Sequence, residues 1–328
     1  MSDNIHQPER LVLVLNPNSA HAERANKAVV NPLMASEWGS KLVVLETEDP
    51  DTAGVDNVSA ITDFLQEGDL FGLGGGDGVD NIGYQVVEKA HEDGKISRED
   101  LTIASFPFGD GNDLSLSISK GVNIARRKRF FGTLNEGSRK WVDAMEMTIE
   151  TDEAKKKLIV HSYVGRGLTG DIANNVNSPL LRKVRKMPGV RRIPGKLLDT
   201  PPVVKALIGR EPFKYSNEDG EIEQAHEQVC AVMPRMAGGT IRMGVDPFEP
   251  RMIQISFGPD HLMRNVAMAL AKSRTKKGME GKEISRLKFR VHDQTYMHYD
   301  GEPMLLEPGA DVTIAHRPKF VQVLTRAS

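Results

Sequence analysis

The sequence lacks the features that would place the chain in a secreted, membrane-spanning or nucleic-acid-binding class. One cysteine, Cys230, among 328 residues excludes an internal disulfide framework and suits a reducing compartment. No apolar run approaches the roughly 18 residues that a transmembrane helix needs, and the polar N-terminus lacks the apolar segment of a signal peptide. The net charge of −2 gives no reason to expect nucleic acid as a partner. We expect a cytoplasmic protein whose contact with a membrane is at most peripheral, at its inner face.

Two common catalytic signatures are also missing. The nine histidines show no paired spacing of the His-Glu-x-x-His kind, so a zinc site is not expected. No Gly-x-Ser-x-Gly elbow is present. Cys230 lies in an apolar, strand-like run and is interpreted as a core residue.

The pattern of apolar residues predicts two domains of different type. Residues 1–143 alternate buried-strand patterns with helical patterns, which predicts a doubly wound α/β nucleotide-binding domain. From residue 144 to 314, strand-like runs follow one another, which is typical of a β-rich, sandwich-like domain. We expect the C-terminal strand, about 315–328, to join the first domain. The predicted fold class is therefore α/β plus β.

Two glycine-acidic loops, about thirty residues apart, are the most informative feature of the first domain. Gly74-Gly75-Gly76-Asp77-Gly78 follows one apolar run, and Gly109-Asp110-Gly111-Asn112-Asp113 follows the next. Glycines let backbone N–H groups approach an anion, and a helix that follows adds its N-terminal donors. A carboxylate in each loop suits phosphate accompanied by Mg²⁺. Because adjacent parallel strands end at one edge of a sheet, the pair predicts a nucleotide-phosphate site.

Five short motifs in order resemble those of the diacylglycerol kinase catalytic superfamily. They are Asn16-Pro17-Asn18-Ser19-Ala20, Gly75-Gly76-Asp77-Gly78, Gly109-Asp110-Gly111-Asn112-Asp113, Val142-Asp143 and Asp300-Gly301-Glu302. The superfamily includes bacterial soluble diacylglycerol kinases and YegS-like lipid kinases, with sphingosine and ceramide kinases as relatives. The resemblance extends over nearly the whole chain.

The resemblance implies ATP- and Mg²⁺-dependent phosphorylation of a lipid hydroxyl. The implied catalytic residues are Asp77 and Asp143, with Asp300 or Glu302 as proton acceptor. The implied nucleotide-binding residues are Asn16, Pro17, Ser19, Thr47, Gly75, Gly76, Asp77, Gly78, Asn81, Gly109, Asp110, Gly111, Asn112 and Asp113. Asp77 would bind the metal together with ATP, and Asp246 and Glu249 faintly match an accessory metal loop.

Departures from the family pattern keep two other functions open. Val79, Ile82 and Asp110 replace a threonine, a glutamate and a threonine of the family. The first alternative is a kinase for a soluble hydroxyl or nucleotide, of the NAD kinase kind. The second is a non-catalytic protein that binds a nucleotide or a membrane. On local grounds alone, Asp300-Gly301-Glu302 is also a common turn, and Asn112-Asp113 could cap a helix.

A basic insertion, residues 174–210, is the predicted membrane-facing surface. Its basic residues are interleaved with apolar ones and include Arg182, Lys183, Arg185, Lys186, Arg191 and Arg192. Such a cluster suits an anionic membrane surface, although a charged run is often just a solvated face. The expected partners are a lipid substrate and that surface, with a homodimer allowed and no nucleic acid.

Overall fold

The computed structural model describes residues 8–19, 21–48, 52, 54–108, 112–118, 127–178, 201, 205–206, 210–237, 240–275 and 277–325. The chain divides into two compact units. The first contains Met1–Ala144, Pro247–Pro250 and Arg317–Ser328. The second contains Met145–Asp246 and Arg251–His316.

A parallel sheet forms the centre of the first unit. Its strands are β1 (Arg10–Leu15), β2 (Leu42–Glu46), β3 (Asp69–Gly75) and β4 (Thr102–Pro107). They lie in the order β2-β1-β3-β4, and every residue of β3 is buried. The last strand of the chain, β18 (Asp311–Thr325), runs parallel to β4 and pairs Gln322 with Thr102. Burial on both faces explains why β1, β3 and β4 are mostly apolar.

Helices connect these strands. They are α1 (Ala22–Ala25), a π-helical turn (Asn26–Val30), α2 (Asn31–Met34), α3 (Asn57–Phe64), α4 (Asp77–Glu92), α5 (Asp113–Ser117) and α6 (Arg127–Glu136). Helix α4 packs its buried side on the sheet, where the ring of Tyr84 stacks on that of Phe320 with 5.5 Å between centroids. This packing fixes the start of α4 directly after the end of β3.

Antiparallel strands form most of the second unit. The strands are β5 (Ser138–Glu150, which begins in the first unit), β6 (Lys155–Val160), β7 (Tyr163–Gly167), β8 (Phe213–Ser216), β9 (Ile222–Ala225), β10 (Glu227–Ala231), β11 (Arg235–Met236), β12 (Ile241–Arg242), β13 (Ile253–Phe257), β14 (Lys282–Glu283), β15 (Arg286–Val291), β16 (Thr295–Tyr299) and β17 (Glu302–Leu306). Two helices accompany them, α7 (Leu168–Val176) and α8 (Leu262–Ser273).

The strand order in the second unit gives two sheets and a hairpin. One sheet has the order β14-β13-β10-β7-β16-β17. In the other, β15 lies between β18 and β8, and β8 pairs with β9. Strands β11 and β12 form a separate hairpin. The parallel sheet of the first unit and the antiparallel sheets of the second confirm the predicted α/β plus β class.

Within the described residues, no helix combines the length and the apolar character that crossing a bilayer would require.

The core of the second unit contains two buried ionisable side chains, Arg166 and Glu227, in addition to its apolar residues. The guanidinium of Arg166, which is 2% exposed, lies 3.4 Å from the ring centroid of Phe289 and 4.0 Å from that of Tyr215. Burial lowers the pKa of Arg166 to about 9. Glu227 on β10 is also buried and accepts hydrogen bonds from the backbone N–H and the hydroxyl of Thr169, both at 2.6 Å.

Glu227 should make the stability of the protein depend on pH. Burial raises its pKa to about 8, against the opposing effect of the Thr169 hydrogen bonds. A raised pKa in the folded state stabilises the fold below the unfolded pKa of about 4.5, and this contribution is lost as pH rises through 8. Glu227→Gln should therefore gain stability relative to wild type between pH 5 and 8.5, on the order of 3 kcal/mol.

Urea unfolding at several pH values measures this difference. Glu218→Gln, at an exposed turn of the same unit, is the matched control and should follow the wild-type curve. Parallel pH curves for wild type and Glu227→Gln would show that the buried carboxyl group does not control this dependence.

Candidate functional site

The first glycine-acidic loop forms the junction between β3 and α4. Strand β3 ends at Gly75, Gly76 is the residue before the helix, and Asp77 is the first residue of α4. A Cβ on Gly75 would overlap the side chain of Val79, so only glycine allows this close turn onto the helix. The N-terminal N–H groups of a 16-residue helix therefore lie directly at the end of the strand.

Main-chain N–H groups at the two ends of the second glycine-acidic loop donate hydrogen bonds to the first. Strands β3 and β4 are parallel neighbours, with Gly75 opposite Pro107. The N–H of Phe108 donates to the carbonyl of Gly75 at 2.9 Å. The N–H of Asp113 donates to Oδ1 of Asp77 at 2.8 Å. The loops thus meet at the carboxyl edge of the sheet, as adjacent parallel strands predict.

The loop after β1 reaches the same edge. Asn16 accepts the N–H of Asn18 through its side chain at 2.9 Å, which forms a tight turn. The hydroxyl of Ser19 donates to the carbonyl of Phe108 at 3.2 Å. Three loops from three neighbouring strands therefore surround one region of the first unit.

A cavity of about 100 Å³ lies among these loops. Its lining residues are Leu15, Asn16, Pro17, Ser19, Ala22, Ala25, Asn26, Glu46, Gly74 and Phe108. Thr47, predicted to contact the nucleotide, follows Glu46, is buried, and donates its N–H to the carbonyl of Leu15 at 2.8 Å. The cavity is smaller than the pockets that usually enclose a whole small molecule, so it suits one part of a ligand.

Asp77 has a second carboxylate beside it that the motif comparison did not identify. Asp80, one helical turn further along α4, is 2% exposed, and a carboxylate oxygen of each residue lies within 4.8 Å of the other. Two like charges this close favour a bound cation, and carboxylate oxygens are the ligands that Mg²⁺ prefers. The spacing of three residues on a helix would have revealed the pair in the sequence.

Asn81 supplies an independent sign that a polar ligand belongs at this site. Its side chain is 8% exposed, and neither atom of its amide group has a hydrogen-bond partner among the described residues. An unpaired buried amide is costly, so a group that donates to it and accepts from it would stabilise this arrangement. Together with Asp77, Asp80 and the start of α4, these residues fit a nucleotide phosphate with Mg²⁺.

Asn112 and Asp113 do not act as a simple helix cap. Asn112 has a left-handed backbone with φ 59°, and its side chain makes no capping hydrogen bond to α5. The side chain of Asp113 is completely buried, and its N–H is directed to Asp77. Asp113 therefore connects the two loops.

Several predicted residues lie outside the described part of the chain. They are Gly109, Asp110 and Gly111 of the second loop and Arg182, Lys183, Arg185, Lys186, Arg191 and Arg192 of the basic insertion. Their predicted roles stay predictions. Asp246 and Glu249 are both exposed, and neither belongs to a cluster of three metal-ligating side chains among the described residues.

Asp143 has a structural contact in the first unit. Its carboxylate is buried and accepts the N–H of Lys319 at 2.8 Å. Lys319 has a left-handed backbone with φ 49°, which is unfavourable for a residue with a side chain. The hydrogen bond therefore stabilises a strained position of β18, and a catalytic role for Asp143 stays a prediction.

Asp300 is tightly bound by main-chain donors in the second unit. Oδ2 accepts the N–H of His161 at 2.9 Å, and Oδ1 accepts the N–H groups of Ser162 and Tyr163 at 2.9 and 3.0 Å. The carboxylate is 2% exposed and holds the turn between β6 and β7. Glu302, the first residue of β17, is partly exposed. The two candidates for proton acceptor thus have different environments.

Comparison with known proteins supports the fold but gives no match in sequence. No protein-family model matches the chain, and no curated protein sequence matches it significantly. A diacylglycerol kinase from Bacillus anthracis str. Sterne has a similar structure, with 16% identity over 98% of both chains and a TM-score of 0.62. Another structure from that organism, assigned to the same enzyme class, has 16% identity, the same coverage and a TM-score of 0.67.

A yeast NADH kinase in complex with NADH is also similar in structure. It has 13% identity and a TM-score of 0.53, over 98% of this chain and 84% of that chain. The resemblance to the diacylglycerol kinase superfamily that the motifs indicate is therefore confirmed for the fold.

Asp300→Asn should destabilise the second unit. An amide has one acceptor oxygen, so its NH2 group would face a backbone N–H that Asp300 now accepts, whichever way it turns. We expect a loss of about 1.5–3 kcal/mol in the free energy of unfolding, the range for hydrogen bonds to a charged group. Glu302→Gln is the matched control and should unfold like wild type in urea. Equal stability of both variants would contradict the structural role of Asp300.

Proposed function

We propose that the protein is a kinase that transfers the γ-phosphate of ATP to a lipid hydroxyl. The observation that carries the proposal is the hydrogen bond between the N–H of Asp113 and Asp77, which joins two glycine-acidic loops at the carboxyl edge of a parallel sheet. Ligands of open α/β sheets bind at this edge. The fold likeness to diacylglycerol kinases supports the choice of reaction and of substrate class.

The residues of the first unit can carry out the electrostatic part of phosphoryl transfer. The start of α4 offers N–H groups to phosphate oxygens, and the carboxylates of Asp77 and Asp80 would hold the metal ion. When bound, Mg²⁺ neutralises charge that develops on the phosphate oxygens. Because phosphoryl transfer needs little covalent help, alignment and charge neutralisation are the main tasks of the protein.

The proton acceptor for the lipid hydroxyl is the part of the mechanism that rests on the family resemblance. That resemblance gives the role to Asp300 or Glu302. Glu302 is the more accessible of the two, whereas the Asp300 carboxylate is occupied by three N–H donors. We propose Glu302→Gln as the more direct test of proton transfer, because this variant should leave the fold intact.

A kinase for a soluble nucleotide is the second candidate. The fold likeness to the yeast NADH kinase is the observation that favours it. A phosphorylation screen with ATP and Mg²⁺ separates the two candidates when it contains lipids in mixed micelles as well as NAD and NADH. Phosphate transfer to a lipid supports the first proposal, and transfer to NAD or NADH alone would replace it with the second.

Asp77→Asn should abolish phosphate transfer with little effect on folding. The amide oxygen of asparagine can still accept the N–H of Asp113, so the loop contact is kept while the negative charge is removed. We expect turnover to fall at least about 100-fold, as for other losses of an electrostatic catalytic group. Initial rates of ATP consumption with substrate, measured at several Mg²⁺ concentrations, give this value.

The same helix provides the matched control for this experiment. Asp93→Asn removes a carboxylate next to the other end of α4, where the side chain is 48% exposed and pairs with Lys89. This variant should keep wild-type turnover. Wild-type turnover in Asp77→Asn as well would place Asp77 outside the active site.

A further inference from the structure

Helix α8 presents apolar side chains to solvent on a scale that the rest of the described surface does not. Of nine exposed large apolar side chains among the described residues, three lie on this 12-residue helix. Met263 is 63% exposed, Met268 45% and Leu270 43%. Scattered apolar side chains are ordinary on a protein surface, whereas a cluster on one element indicates an interaction site.

The exposed apolar residues of α8 do not lie on the side of the helix that packs against the core. Ala269 packs against the core cluster of the second unit, and Leu262 and Val266, at helical spacing from it, are partly buried. Met263, Ala267 and Leu270 follow the i, i+4, i+7 spacing of a separate stripe on the outer side. The helix therefore has two apolar stripes, of which the outer one makes no contribution to the core.

Positive charge also lies among the exposed residues of α8 and directly after the helix. Arg264 and Lys272 lie four residues either side of Met268 on α8, and Arg274 and Lys277 follow the helix; all four are exposed. No acidic residue occurs between Asp260 and Glu280 in the sequence. Among the described residues, none of these four cations forms an ion pair.

Met279, beyond the end of α8, is held against β12 and the residues that follow it. The N–H of Met279 donates to the carbonyl of Arg242 at 2.8 Å, and the N–H of Gly244 donates to the carbonyl of Met279 at 2.7 Å. Gly278 has φ +76°, and a Cβ there would overlap the backbone of Arg242 and Met243. These contacts place Lys277 close to the β11–β12 hairpin.

We propose that the outer face of α8, with Arg264, Lys272, Arg274 and Lys277, docks the protein onto an anionic phospholipid bilayer. An exposed apolar stripe bordered by cations is the pattern of helices that lie in the membrane interface. The apolar side chains would enter the acyl boundary, and the cations would contact lipid phosphates. The proposal rests on the lipid-kinase proposal for its biological purpose, since a lipid hydroxyl has to be reached at a bilayer.

Co-sedimentation of the full chain with vesicles tests the docking surface. The probe is a vesicle of 70% phosphatidylcholine and 30% phosphatidylserine, compared with pure phosphatidylcholine, and neither contains a kinase substrate. Wild type should prefer the anionic vesicles at 0.1 M salt and lose this preference at 1 M, as the Debye length shortens from about 10 Å to about 3 Å. Circular dichroism and urea unfolding establish that each variant is folded.

Two double variants separate the apolar and the electrostatic parts. Arg264→Gln with Lys272→Gln should weaken binding to anionic vesicles at least tenfold, since each cation near an anionic surface contributes about fivefold. Met263→Gln with Leu270→Gln should weaken it at least tenfold at both salt concentrations. Ile222→Gln is the matched control, because this 69% exposed side chain lies between Glu221 and Glu223 on the same unit.

The outcomes distinguish this proposal from its rivals. Wild-type vesicle binding in both double variants would overturn it and leave the basic insertion as the membrane contact. A dimer in sedimentation velocity that Met263→Gln with Leu270→Gln dissociates, with vesicle binding unchanged, would assign the surface to a second copy of the chain. Turnover on a water-soluble short-chain diacylglycerol, measured without vesicles, should be the same in all variants and tests the kinase proposal separately.

Discussion

The hydrogen bond from the N–H of Asp113 to Asp77 is the interaction on which the candidate site depends. Parallel pairing of β3 and β4 brings the two loops to one edge, but pairing alone leaves their side chains free to rotate. The bond, at 2.8 Å, orients the Asp77 carboxylate from the backbone of the neighbouring loop. A carboxylate oriented before the ligand arrives loses less conformational entropy on binding, which is the basis of preorganised catalysis. The adjacent Asp80 then adds charge to a position that is already fixed.

Three predicted catalytic carboxylates accept backbone N–H groups. Holding the backbone is therefore a second physical reason, besides catalysis, for a carboxylate at each of these motif positions. Asp77 connects two loops, Asp143 stabilises the left-handed Lys319, and Asp300 holds a turn through three donors. A substitution at any of these positions can remove activity by disturbing the backbone. In Asp77→Asn the amide oxygen can still accept the N–H of Asp113, whereas at Asp300 both carboxylate oxygens accept backbone N–H groups.

The sequence was sufficient for the fold class and for the shared edge of the two loops, because both follow from local patterns. Continuous apolar runs predict buried parallel strands, and neighbouring parallel strands end together. Long-range features were not accessible. The apolar run 158–164 is interrupted at His161 and Ser162, where Asp300 binds the turn from 137 to 139 residues away. The apolar runs 312–315 and 320–324, which are separate in the sequence, belong to the single strand β18, where Asp143 accepts the N–H of the left-handed Lys319. Asp80 lies outside the family motif, although its spacing of three residues from Asp77 places both carboxylates on one side of α4.

Helix α8 shows what sequence periodicity alone leaves open. Amphipathic periodicity is readable when one face is apolar and the opposite face is polar. In α8 the core-facing residues Val266 and Ala269 keep this spacing, but the period does not say whether the remaining apolar residues, Met263, Met268 and Leu270, are covered or exposed. Burial in the core explains the inner apolar stripe of α8. It does not explain the outer stripe, because those side chains stay exposed in the folded protein. The fold does not need the outer stripe, and the basic residues of this surface form no ion pairs among the described residues. Both features are explained when the apolar side chains and the cations are buried against the same external surface.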